Sequence, residues 1–148
     1  MIHTADATWD GLVGVKDSFS EEFMKGGLMG FSCGISDFPD EYKKRWAEVI
    51  AEYKAERDFY ISATARILAE GDGLTVIEYA SPSLDRIVIQ AFATVSRVRE
   101  LWIYPAVDAT KEYLIEGERI GGTEILRDGI RLSAVPNYGC AVLRLEAD

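Results

Sequence analysis

The feature that most limits what this chain can become is a change of spacing rule near its middle. In "WAEVIAEYKAERDFYISATARIL", Trp46 to Leu68, the apolar residues first recur three and four apart, at Trp46, Val49, Ile50 and Tyr53. That spacing lines one face of a helix. From Ile61 onward the apolar runs are short, strand-like and broken by glycines, and they stay so to the C-terminus. The fold class this predicts is mainly β: an antiparallel sandwich of about eight strands, preceded by one long amphipathic helix and a Gly-rich stub.

The helix is predicted over 39–58. Pro39 suits a first turn, where its missing N–H has no partner to lose. Asp37, Asp40 and Glu41 place negative charge at the positive end of the helix dipole, and Lys54 and Arg57 place positive charge in the last turn. Tyr42, Trp46, Val49, Ile50 and Tyr53 form the apolar stripe. Strands are predicted over 61–69, 73–80, 86–95, 98–104, 111–117, 123–127, 129–134 and 139–147. Turn signals separate them: "GDG" at 71–73, "SPS" at 81–83, "GG" at 121–122, "DG" at 128–129 and "PNYG" at 136–139. In the last strand Leu143 and Leu145 should point inward, with Arg144 and Glu146 outward. Ahead of the helix, residues 1–36 hold a loop, a short helix in "KDSFSEEFMKGG" and a short apolar strand in "GLMGFSCGIS", with too few periodic partners to close a core.

Composition excludes several functions. A net charge of −9 is wrong for a binder of phosphate backbones or of anionic membrane surfaces. No apolar run approaches the roughly 18 residues of a membrane span, and no signal peptide is evident. Cys33 and Cys140 make no disulfide framework and read as buried thiols. A reduced, cytoplasmic compartment is the expectation.

Taken together, the motifs resemble those of glycoside hydrolase family 36, the α-galactosidases and their relatives. "GLMGF" leading into a helix that ends in Tyr53, Lys54 and Arg57 is similar to the close of that family's catalytic barrel. Tyr113, Ile115, Gly121, Gly122, Ile125, Gly129, Ile130 and Leu132 follow the order of a late pattern in its C-terminal sandwich. The resemblance covers about residues 26–148 and implies residues 1–58 as the end of a (β/α)8 barrel, then residues 59–148 as the C-terminal β-sandwich. It also implies retaining hydrolysis by two carboxyl groups about 5–5.5 Å apart. The motifs carrying those two aspartates are not found in this chain, and Asp6, Asp10 and Asp17 have no paired spacing.

No catalytic residue is therefore assigned, and no cofactor is expected. His3, the sole histidine, lacks companions for a metal site, so none is assigned. The resemblance would place His3 and Trp9 near the sugar pocket of an intact enzyme, which makes them the candidate substrate-binding residues; loop surface is the plainer reading. Trp46 and Trp102 are expected in the core, because a sugar platform needs exposed rings on one face. "RVRE" at 97–100 reads as a solvated strand edge. Three roles stay open: a non-catalytic portion supporting a parent enzyme's barrel, a stand-alone carbohydrate-binding sandwich, or an oligomerisation domain.

Overall fold

The computed structural model describes Lys25, Gly26, Ser36 and residues 38–147. The chain divides into two compact units, Met1–Ile61 and Ser62–Asp148. The stub's expected loop lies outside the described residues, as do His3, Asp6, Trp9, Asp10, Asp17 and Cys33; of its expected helix only helical Lys25 and Gly26, in a turn, are described, and of its expected strand only Ser36, which is in a 3₁₀ turn.

Within the first unit, helix α1 runs Asp40–Ser62. It starts where expected, with Tyr42 and Lys43 N–H groups bonded to the Pro39 carbonyl. It ends four residues later than the expected 58, so Lys54 and Arg57 sit inside it rather than in its last turn. Nothing in "DFYIS" stops a helix: it holds neither glycine nor proline. Trp46, Val49 and Tyr60 are buried, while Tyr42, Ile50 and Tyr53 are half-buried. Lys25, 4% exposed, reaches Glu52 at 2.9 Å. No helix among the described residues is long and apolar enough to cross a membrane.

The second unit is mainly β. Its strands are β1 (Thr64–Gly71), β2 (Leu74–Ala80), β3 (Arg86–Ala93), β4 (Glu100–Ile103), β5 (Glu112–Ile115), β6 (Glu118–Gly121), β7 (Ile130–Ser133) and β8 (Gly139–Ala147), with helix α2 (Gly122–Asp128) between β6 and β7. All pairings are antiparallel. A six-stranded sheet has the order β1-β2-β3-β8-β5-β6, and β4 pairs with β7 in a two-stranded sheet. Inward residues of both sheets meet in one core: Val76, Ile87, Ile89, Leu143 and Leu145 from the larger, Ile103 from the smaller, with Leu101, Ile130 and Leu132 packed at its side. Two layers closing over one apolar core make the sandwich.

Local chemistry sets the turns. Asp72 and Gly73 both have positive φ (48° and 72°), the two-residue hairpin conformation that follows the strands' twist. Glu116 and Gly117 repeat it, at 50° and 91°, between β5 and β6. That second hairpin corrects the expected single strand 111–117. The fold also corrects the strand expected at 123–127, which is α2. Gly129, with φ 73°, closes that helix by donating its N–H to the Ile125 carbonyl at 2.9 Å, and Glu124 and Arg127 are ordered for the helix dipole. One buried side chain, Ile125, anchors it, which suits a helix and leaves a strand unsupported.

Trp46 is core as expected, but Trp102 is not: it is 50% exposed. Ile103, 2% exposed, takes the inward position of β4, and strict alternation turns Trp102 to the other face. Cys140 is a free thiol, half-buried rather than buried.

Candidate functional site

Two polar clusters in the β unit fix its loops. The first centres on Glu78. In "LTVIEYA" the residues at 74, 76, 78 and 80 share a face, so a carboxylate stands among Leu74, Val76 and Ala80, and it is 1% exposed. A buried carboxylate needs partners. Arg66, opposite it on β1, donates through Nε at 3.2 Å and through a terminal nitrogen at 3.4 Å. The Ala106 N–H donates to the same carboxylate at 2.7 Å, and Arg66 also donates to the Tyr104 carbonyl at 3.1 Å. One acid thereby pins the 104–106 segment to the hairpin β1–β2.

The second cluster is built from the late motif. Tyr113, fully buried, accepts from the Asp108 N–H at 2.8 Å and donates to the Leu84 carbonyl at 2.9 Å. Lys111 bonds the Ser83 carbonyl and the Asp85 carboxylate, at 2.5 and 2.7 Å. Asp108 accepts from the Thr110 N–H and hydroxyl. Gly122 donates its N–H to the Lys111 carbonyl at 2.8 Å, and any Cβ there would strike the Asp108 carbonyl oxygen. The motif residues thus share one task. Tyr113 ties loops, Ile115 and Ile125 fill the core, Gly122 permits a close approach, and Gly129 caps α2.

The electrostatics agree with a positioning role. The hydrogen bonds from Lys111 and Ser83 hold the Asp85 carboxyl below its ordinary value, and those from Thr110 do the same for Asp108. The hydrogen bond to Asp85 raises Lys111 in turn. A general acid needs its proton held more tightly, not less. Both aspartates stay ionised, with hydrogen bonds from Lys111 to Asp85 and from Thr110 to Asp108.

The candidates His3 and Trp9 lie outside the described residues. Sequence reading missed the Glu78–Arg66 hub, although a lone carboxylate on the apolar register of β2 was its signal. It also missed the face of Trp102, whose clue was Ile103 beside it.

No protein-family model matches the chain, and no curated protein matches it. Solved structures do. An α-galactosidase of glycoside hydrolase family 36, AgaA from Geobacillus stearothermophilus, superposes with a TM-score of 0.72 at 19% identity, over 86% of this chain and 19% of its own. AgaB from the same organism gives 0.71 at 18% identity over the same shares. The galactosidase domain of the α-galactosidase–sucrose kinase AgaSK gives 0.65 at 17% identity, over 80% of this chain and 18% of its own. The chain therefore shares the fold of a portion of these enzymes and spans about a fifth of their length, as its motifs led one to expect.

Proposed function

We propose that the chain is the non-catalytic C-terminal portion of an α-galactosidase-like glycoside hydrolase. In this reading residues 1–58 are the end of the (β/α)8 barrel, and residues 59–148 are the sandwich that packs on the barrel and supports it during carbohydrate hydrolysis. Its partner is the parent enzyme's catalytic barrel, and its compartment the reducing cytoplasm, in keeping with cysteines that form no disulfide framework. One observation carries the proposal. The fold likeness covers 86% of this chain but 19% of the enzyme, and the residues that carry the motif are packing and loop-tying residues. His3 and Trp9 remain its proposed sugar contacts in an intact enzyme.

The test is hydrolysis of 4-nitrophenyl α-galactoside by the purified chain. The expected rate equals a buffer blank. Turnover abolished by a single Asp6→Asn or Asp10→Asn change would overturn the proposal.

A further inference from the structure

The outward face of the two-stranded sheet carries aromatic rings where a solvated surface has no use for them. Along β4 and just past it, exposure alternates: Glu100 out, Ile103 in, Trp102 and Tyr104 out, at 50% and 54%. Two residues apart along the chain, their Cα atoms are roughly 7 Å from each other. Across the ladder Arg131 stands opposite Trp102 and Ser133 opposite Glu100. Arg131 pairs with Glu100 at 3.6 Å, both more than half exposed.

The Tyr104 ring sits on a fixed base. Gly129 has no side chain, and a Cβ there would lie 3.0 Å from the Tyr104 ring, so the ring lies close over the glycine backbone. The Tyr104 carbonyl is held by Arg66, itself locked to the buried Glu78, which also holds the Ala106 N–H. Tyr104 is thus anchored through its backbone by a part-buried ion pair behind the strand, which lowers the ordering cost of binding at that ring.

The chemistry of the face selects a ligand class. The net charge of −9 and the absence of an excess of cations here reject a nucleic acid, although aromatic rings alone would stack bases. The acid and base of the ladder, Glu100 and Arg131, pair with each other, so the face gives little hold on a charged ligand. What it offers is two flat apolar rings beside an arginine, a carboxylate and a hydroxyl. Those suit a molecule with apolar C–H faces and hydroxyl groups around their rim. We infer that the Trp102–Tyr104 face is a surface binding site for a neutral oligosaccharide, with the rings stacking on sugar faces and Arg131 and Glu100 bonding hydroxyls. The inference rests on the exposure of this face in this chain and holds whether or not the chain itself is catalytic.

The experiment is titration of the full chain with melibiose, raffinose and maltotriose, followed by indole N–H resonances in NMR spectra. The expected result is a saturable shift of the Trp102 indole with at least one sugar in the millimolar range. Trp102→Ala and Tyr104→Ala should each weaken binding by about tenfold, as loss of one stacking ring implies. Both positions are half exposed, and unchanged circular dichroism will show that the variants fold. Three results would each overturn the inference. One is no saturable shift with any of the three sugars. A second is binding untouched by either variant. The third is concentration-dependent self-association that Trp102→Ala abolishes, which would make the face a protein interface.

Discussion

Gly121 and Gly122 are neighbours with opposite duties. A Cβ at Gly121 meets open space, and its φ of −69° suits any residue. Gly121→Ala should change stability by less than ~1 kcal/mol, because the unfolded-chain entropy it removes is opposed by alanine being a poorer N-cap for α2 than glycine. A Cβ at Gly122 strikes the Asp108 carbonyl, and the adjoining Asp108 N–H is tied to Tyr113, so the loop yields poorly. Gly122→Ala should cost ~1–3 kcal/mol in urea unfolding. Glu78→Ala removes the acceptor for Arg66 and for the Ala106 N–H. With Arg66 half exposed, that loss should be ~1–3 kcal/mol, below the figure for a fully buried pair. The acid limb of stability follows from the aspartates. Asp85, Asp108 and Asp128 are all held below 3.8 by hydrogen bonds, from Lys111, Thr110 and Arg127 respectively. A depressed carboxyl contributes stability above its unfolded value and loses it as pH falls through the folded one. The urea midpoint should therefore hold from neutrality to about pH 5 and decline below it. Lys111→Met should shrink that decline.

At the scale of elements, β8 is the clearest case. Its bounds, Gly139–Ala147, match the expected 139–147, and Leu143 and Leu145 are buried while Arg144 and Glu146 are exposed. Leu143→Ala should cost ~2–5 kcal/mol and Arg144→Ala under ~1, measured by the same unfolding. Such alternation was legible because one face of β8 is dry and the other wet. β3 was less so: Ile87–Ala93 is buried throughout, and a strand covered on both sides loses its period. Helix α2 was misread because seven residues with one buried anchor give no periodicity. Its capping glycine and ordered charges were the readable signal. The β5–β6 hairpin hid for a related reason. Each strand is four residues long, and the turn glycine at 117 was passed over for the glycine pair at 121–122. The candidate site was least legible. His3 and Trp9 fall outside the described residues, and the exposure of Trp102 depends on which β4 residue the core claims.

For the molecule as a whole, the β unit has the parts of an independent fold. It holds one continuous apolar core, closed hairpins and a buried carboxylate, Glu78, that is satisfied by Arg66 and the Ala106 N–H. A domain of its size buries roughly 60–65% of its unfolded surface, which suffices without disulfide or metal. The fold is held by packing, and the residues of the late pattern, Tyr113, Ile115 and Ile125 among them, are part of that packing. Circular dichroism with thermal melting of a 62–148 fragment tests this most directly. The account predicts a β-type far-UV spectrum and one cooperative transition without α1. A helix-dominated spectrum, or melting with no cooperative transition, would contradict it.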